Sequence, residues 1–236
     1  KEAKKLHDIL TFSKDGLKFR LKTELSTNYS YHYLKEAYER VRFDNIAGAA
    51  QNFTESMLVK WVKSAIKKTK IKDIVCGGGV FMNVKANMLL QNISEVNSIY
   101  VMPSASDESL SIGAALYFYH NNFNILKSKS SIIENLYLGS DLALDDIKST
   151  IKKIRFQTNY KVEKNINFDE VLSDLLIKGE VIAICRGRSE WGARALGNRS
   201  IIARADSKEI VEKINSQIKM RDFWMPFAPT ILESKF

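Results

Sequence analysis

Apolar residues recur along this chain with two periods, and the switches between them mark its elements. From Ile46 the spacing is helical: Ile46, Ala50, Phe53, Met57, Trp61 and Ala65 mark one face of a long amphipathic helix. Earlier, Tyr31, Leu34, Tyr38 and Val41 recur at the same spacing, and Leu17, Phe19 and Leu21 alternate after Asp15-Gly16, which predicts a short hairpin. The first 45 residues are otherwise the least legible. Lys72-Asp73-Ile74-Val75-Cys76 reads as a short strand, followed by Gly77-Gly78-Gly79 and a helical segment from about Asn83 to Gln91. Ser98-Ile99-Tyr100-Val101 reads as a second strand, running through Pro103 into a helix from about Glu108 to Tyr119. Strand, glycine loop, helix, strand, loop, helix predicts an α/β fold with largely parallel strands. Ligands in such folds sit at the carboxyl ends of the strands, where both loops fall.

Residues 120–135 are polar and rich in Asn, Lys and Ser, and read as a linker or surface crossing. Ser140 is expected to cap a helix carrying Asp141, Asp145 and Asp146 near its positive end. Asn167 and Glu170 form the pattern of a capping box before Val171, Leu172, Leu175 and Leu176. That helix feeds the apolar run Val181-Ile182-Ala183-Ile184-Cys185, and a last helix is expected over 207–219 with Ile210, Ile214 and Ile218 as its stripe. No internal repeat or low-complexity tract is present.

Directly after the apolar run comes the densest chemistry in the chain. Gly187-Arg188-Ser189-Glu190-Trp191-Gly192-Ala193-Arg194-Ala195-Leu196-Gly197-Asn198-Arg199-Ser200 sets three glycines among three arginines. Glycine lets backbone approach a ligand closely, and arginine offers a rigid, permanently charged fork for a planar oxyanion. A phosphate or carboxylate-like ligand is favoured over a tight turn with solvated arginines. The loop Gly77-Gly78-Gly79 stands between a strand and a helix, where backbone N–H groups make an anion site or where glycines serve only packing. Asn83 is placed there to hydrogen-bond a ribose or a base. Asp107, in Pro103-Ser104-Ala105-Ser106-Asp107-Glu108-Ser109, reads equally as a helix N-cap and as an oxygen ligand to a divalent metal. His7, His32 and His120 lie apart and carry no metal-ligand spacing.

Composition narrows the partners. The 236 residues are 45% hydrophobic and 27% charged, as in a soluble globular protein. No apolar run approaches the ~18 residues that cross a bilayer, and no signal-peptide core is present. The chain starts at Lys1 rather than Met, so it is expected to be an internal piece of something longer. A formal charge of +9 admits nucleic acid, membrane surface or phosphorylated metabolites. Lysine is scattered, whereas six of the ten arginines (Arg186, Arg188, Arg194, Arg199, Arg204 and Arg221) fall in one C-terminal stretch. Small anions therefore fit better than nucleic acid, with RNA left open as a co-substrate. Cys76 and Cys185 both end apolar runs and are expected to be buried small hydrophobes in a reducing cytoplasm.

Taken in order, the motifs carry a resemblance. Ile46-Ala47-x-x-x-Gln51 is followed by Gly78-Gly79-Val80-x-x-Asn83, Pro103-x-x-x-Asp107 with Gly113-Ala114-Ala115, and Leu138-Gly139. The arginine tract comes next, and then Lys219-x-Arg221 with Pro226-Phe227-Ala228-Pro229. Over about residues 46–236 the chain resembles the O-carbamoyltransferases of nodulation-factor and antibiotic tailoring. The resemblance implies an α/β chain in two parts. Residues 1–125 would be the end of an actin- and sugar-kinase-like ATPase-fold domain that transfers carbamoyl. Residues 126–236 would be the start of a domain like the synthases of threonylcarbamoyl-adenylate. It further implies that carbamoyl phosphate and ATP form carbamoyl-adenylate, from which the carbamoyl group passes to a hydroxyl of a sugar or natural product.

On that resemblance Arg188, Arg194, Arg199, Lys219 and Arg221 grip the anions, with Asn198 and Ser200 as polar support. Gly78, Gly79 and Asn83 hold the adenylate, and Asp107 ligates a divalent metal, iron or magnesium. The sequence departs from the family with Ser106 and Ser109 where glycine is common, and with Trp191-Gly192-Ala193-Arg194 for Phe-Gly-Pro-Arg. It also lacks the family's upstream His-x-x-x-His helix and phosphate-binding hairpin, and its second domain stops early at Phe236, so a fragment inactive alone is expected. Three alternatives remain: a hydrogenase-maturation carbamoyltransferase, disfavoured by only two cysteines; a tRNA-modifying transferase, disfavoured by the arginine tract; and a non-catalytic nucleotide-binding scaffold.

Overall fold

The computed structural model describes residues 2–24, 29–123, 133, 135–154, 161–164 and 167–235. The chain is mixed α/β and divides into two units, Lys1–Ser131 and Ile132–Phe236. The division expected between 125 and 126 lies outside the described residues.

The first unit opens with α1 (Glu2–His7) and an antiparallel hairpin of β1 (Leu10–Phe12) and β2 (Phe19–Leu21), with Leu10 opposite Leu21 and Phe12 opposite Phe19. Its turn requires Gly16: φ is +72°, and a Cβ there would lie 2.3 Å from Ser64 Oγ. α2 (Ser30–Ala37) carries Tyr31 and Leu34 but closes at Tyr38, before Val41. α3 (Phe43–Thr69) is long and ends where Lys70 turns left-handed (φ 63°) and donates its N–H to Ile66 O.

The buried side of α3 differs from the expected stripe. Ala50 is exposed, while Ala49, Leu58, Val62 and Ile66 are buried alongside Met57. The cause is that α3 packs on two sides at once. Phe53 meets His7 edge-on at 4.8 Å, Trp61 meets Phe19 at 5.1 Å, and Trp61 Nε1 donates to Leu17 O at 3.1 Å. Leu58, Val62 and Ile66, each four residues apart, instead join the core of the strand-and-helix layer.

That layer is β3 (Asp73–Cys76), a 3₁₀ turn (Gly79–Met82), α4 (Val84–Gln91) and β4 (Ser98–Val101). β3 and β4 pair in parallel, Asp73 opposite Ser98 through Cys76 opposite Val101. The expectation of parallel strands holds for this pair; the other two pairs among the described residues are antiparallel. The core joins Leu58, Val62 and Ile66 to Cys76, Phe81, Ala86, Leu90, Ile93 and Ala105. α5 (Ser109–Phe123) runs four residues beyond its expected end, into the stretch read as a linker.

In the second unit, α6 (Leu144–Lys153) is preceded by Ala143 at its N-cap, not Ser140, although Asp145 and Asp146 do occupy the first turn. Ser140 O is occupied elsewhere, accepting Ser189 N–H. α7 (Phe168–Ile177) starts at Asn167 as expected, but its amide bonds the Glu170 carboxylate rather than the helix backbone. β5 (Ile182–Cys185) then pairs antiparallel with β6 (Arg199–Ile202), a strand the apolar pattern did not single out because it begins inside the arginine tract. On β5, Ile182 and Ile184 face inward, so Cys185 falls on the other face with Ala183 and is exposed, unlike the buried Cys76.

α8 (Lys208–Lys213), capped by Ser207 Oγ, widens into a π turn over Ile214–Ile218. That turn rotates Ile218 out of line with Ile214, which is why Ile214 is buried and Ile218 exposed. Among the described residues no helix is long and apolar enough to cross a membrane.

Leu90 is fully enclosed, at 0% exposure. Leu90→Ala is expected to cost about 2–5 kcal/mol in chemical denaturation, while truncating the 79%-exposed Val75 to Ala stays within about 0.5 kcal/mol.

Candidate functional site

Residues singled out above fall in both units; among the described residues the bonds of Lys219 and Arg221 run to Ile214, Asn215 and Pro226 and not to the arginine tract. In the first unit, the two loops at the carboxyl ends of β3 and β4 lie side by side. Met102 N–H bonds Cys76 O at 3.0 Å, and Gly78 N–H bonds Ala105 O at 2.9 Å. Gly78 stands at φ +106°, which admits glycine and little else, and a Cβ on Gly79 would be 3.6 Å from Ser106 Oγ. Gly77, Gly78 and Gly79 are all exposed.

Asn83 is the N-cap of α4. Its Oδ1 accepts Ala86 N–H at 3.1 Å and Gln51 Nε2 at 3.1 Å, and its Nδ2 donates to Gln51 Oε1 at 2.8 Å. Gln51 passes the contact on to Glu55 Oε1 at 2.7 Å, which Lys85 approaches at 3.2 Å. The Gln51 amide, and then Lys85, hold the Glu55 carboxyl below its ordinary value against the opposing effect of burial. α3 and α4 are thus tied by one polar relay, and Asn83 keeps one Nδ2–H for any other partner.

Asp107 is exposed on the turn before α5 and its carboxylate has no partner among the described residues. It does not cap the helix, which starts two residues later at Ser109. The Ser109 side chain closes this turn on itself, its Oγ donating to the backbone oxygen of Ser106 at 2.8 Å. Among the described residues no three His, Cys, Asp or Glu side chains are grouped to hold a metal. A lone carboxylate does not make a cation centre, so the described residues do not by themselves fit the expected metal.

In the second unit the arginine tract forms the connection between β5 and β6. Gly187, Gly192 and Gly197 all have positive φ (50°, 109° and 105°), which lets the chain fold back on itself. The fold-back is built around Glu190. Its Oε1 accepts the backbone N–H groups of Leu196 (3.0 Å), Asn198 (2.6 Å) and Arg199 (3.0 Å). Desolvation pushes the carboxyl up, but the N–H groups of Arg199 and Asn198, its own and that of Leu196 outweigh it and lower the pKa from 4.5 to about 2. Ser200 Oγ, buried, accepts Gly197 N–H at 2.8 Å, and Asn198 Nδ2 donates to Arg188 O at 2.8 Å.

The arginines divide by what they hold. Arg188 donates to Gly139 O (2.9 Å) and Leu138 O (3.3 Å); Arg199 donates to Arg186 O (2.6 Å), Asn198 O (3.1 Å) and Gly187 O (3.2 Å). Arg221 donates to Asn215 Oδ1 (2.7 Å) and lies 4.7 Å from the centre of the Phe227 ring. Arg194 and Lys219 are exposed and their side chains have no partner among the described residues. None of Arg188, Arg194, Arg199, Lys219 and Arg221 is ion-paired among the described residues, although Arg204 is paired with Asp206.

A segment the sequence marked only as Leu138-Gly139 completes the frame. Trp191 N–H bonds Leu136 O (2.7 Å), Gly139 N–H bonds Ser189 O (3.0 Å), and Tyr137 OH donates to Leu196 O (3.0 Å). Sequence reasoning assigned no role to Glu190, Asn215 or Tyr137. For Glu190 the signal was present, a single acid inside a basic tract; for Asn215, one amide beside an isoleucine stripe, there was none.

Against known families, the chain matches the model for the carbamoyltransferase N-terminus over residues 4–116 and that for the carbamoyltransferase C-terminus over 173–236. It belongs to the carbamoyltransferase family. Among curated relatives it is 28% identical to the uncharacterized protein MJ1058 of Methanocaldococcus jannaschii, an alignment covering 88% of this chain and 34% of that protein. To the uncharacterized protein MJ1051 of the same organism it is 35% identical, covering 79% and 35%. To nodulation protein NolNO of Sinorhizobium fredii it is 29% identical, covering 80% and 27%. The chain thus spans about a third of the length of the curated relatives it matches.

Two outcomes test the frame. A Cβ on Gly139 would fall 2.7 Å from Ser189 Cβ and 3.0 Å from its carbonyl oxygen, backbone that cannot swing aside. Gly139→Ala is therefore expected to cost about 1–3 kcal/mol and to raise amide exchange at Ser189 and Trp191. Because the Glu190 pKa is lowered on folding, its contribution is complete above pH 4.5 and lost as pH falls toward about 2. Protection of the Leu196, Asn198 and Arg199 amides should decline across that window in the parent and be insensitive to it in Glu190→Gln.

Proposed function

We propose that this chain is part of an ATP-dependent carbamoyltransferase whose acceptor is a hydroxyl of a sugar or natural product. In this reading the second unit activates the carbamoyl group. Water releases phosphate from carbamoyl phosphate, the resulting carbamate displaces pyrophosphate from ATP, and carbamoyl-adenylate is formed. The first unit, with the ATPase-like fold the resemblance implies, passes the carbamoyl group to the acceptor hydroxyl and leaves AMP.

The observation that carries this reading is uncompensated charge. Arg188 and Arg199 are fastened through neutral carbonyls, Arg221 through an amide, and Arg194 and Lys219 project freely. The one acid in the tract, Glu190, takes three backbone N–H groups on Oε1 and is not ion-paired with an arginine among the described residues. Positive charge held this way, with no reorganisation needed, stabilises phosphate groups as charge shifts between them. Arg194 and Lys219 then contact the anions directly. Arg188 and Arg199 fix the loop on one edge and offer their remaining N–H groups on the other. Gly78, Gly79 and the free Nδ2–H of Asn83 border the nucleotide in the first unit.

The test is carbamoyl-phosphate-dependent release of pyrophosphate from ATP by the full-length protein. Release is expected, with kcat/KM lowered roughly 100-fold in Arg194→Ala. No release from the parent protein would sink the transferase reading in favour of a nucleotide-binding scaffold.

A further inference from the structure

The expected anion residues Lys219 and Arg221 flank Met220, the one non-glycine residue at positive φ among the described residues of the second unit. Met220 is left-handed (φ 48°) and 86% exposed, so no packing of its own side chain explains the conformation. A non-glycine residue there costs about 1–2 kcal/mol and persists only where its surroundings dictate it. Here they do. The π turn over Ile214–Ile218 ends with Lys219 N–H on Ile214 O at 2.8 Å, and the reversal at Met220 brings Arg221 N–H back to Asn215 O at 2.9 Å.

The residue it returns to is Asn215, 1% exposed and fully hydrogen-bonded. Its Oδ1 accepts Arg221 Nε at 2.7 Å, and its Nδ2 donates to Phe223 O (3.2 Å) and Met225 O (3.3 Å). Only a carboxamide suits this position. It accepts from a cation on one edge and donates to two carbonyls on the other. A carboxylate would meet those carbonyls with lone pairs, and an aliphatic residue would leave three polar groups unpaired. An amide also does what the usual acidic partner of arginine does not: it fixes the guanidinium without cancelling its charge. The Phe227 ring supports the other side of the fork, and Arg221 Nη2 reaches Pro226 O at 3.4 Å.

We propose that Asn215 is the positioning residue of this site: it holds the Arg221 fork against Phe227 with Nη1 directed to a phosphate oxyanion, without touching the ligand itself. The proposal rests on the reading of the second unit as the phosphate-handling part of the enzyme.

The test is calorimetric titration of the full-length protein with inorganic pyrophosphate and, in a second series, inorganic phosphate. Arg221→Ala and Asn215→Ala are each expected to weaken pyrophosphate binding about tenfold, and the double variant no more than Arg221→Ala alone, since Asn215 acts only through Arg221. Arg221→Lys, which keeps the charge but not the fork, is expected to lose about as much as Arg221→Ala. Additive losses in the double variant, unaltered binding in Asn215→Ala, or no binding by the parent overturns the proposal. Should Asn215→Ala fail to fold, the lysine variant decides: binding at the parent level overturns the fork, and a tenfold loss supports it. The same ranking with phosphate assigns the grip to a single phosphoryl group, and a ranking confined to pyrophosphate assigns it to two. Turnover by the full-length enzyme is a separate readout, so failure of the transferase reading and failure of this proposal are told apart.

Discussion

The Oε1 atom of Glu190 receives the backbone N–H groups of Leu196, Asn198 and Arg199, and the second unit's site depends on that convergence. Three donors pointing at one oxygen oblige the chain to curl, and the three glycines at positive φ are what allow the curl. Once it forms, Asn198 and Arg199 are fixed in register at the start of β6, opposite Cys185 of β5. An acid among so many arginines would ordinarily neutralise one of them. Because backbone donors occupy it instead, the arginines are left to neutral carbonyls and keep their charge.

The same economy recurs at Asn215, where an amide again takes the place of a carboxylate as the partner of an arginine. Both arrangements separate the task of holding a cation still from the task of balancing its charge. A cation held in this way keeps its positive charge. The isoleucine stripe of α8 shows the accompanying cost in regularity: the π turn that admits Asn215 to the interior turns Ile218 outward.

The first unit reaches its geometry by a different route. Parallel pairing of β3 and β4 sets two loops side by side at one end, and the relay Asn83–Gln51–Glu55–Lys85 fastens α4 to α3 behind them. Asn83 caps α4 and anchors it to Gln51 of α3. Asp107 stays exposed and alone, so whatever it does depends on groups other than the described ones.

Periodicity along the chain was enough to locate α3, β3, β4, α4 and β5, because each is a local run whose apolar spacing matches its own backbone repeat. Motif order was enough for the family, since the arginine–glycine tract and the glycine loop stand in the order that its members share. Local pattern failed where one residue answers to two neighbours. The face of α3 was misplaced because the helix packs against the hairpin on one side and the strands on the other. Cys185 was expected inside because an apolar run does not say which of its alternating positions faces the core. Partner choice was hidden altogether. That Arg188 would reach Gly139 and Leu138, that Glu190 would take backbone rather than arginine, and that Asn215 would anchor Arg221 follow from contacts across 49, 8 and 6 positions of sequence. Sequence by itself determined which chemical groups are present and that their charge suits an anion. Tertiary structure alone decided which of them are braces and which stay free, because a hydrogen bond is set by distance in space.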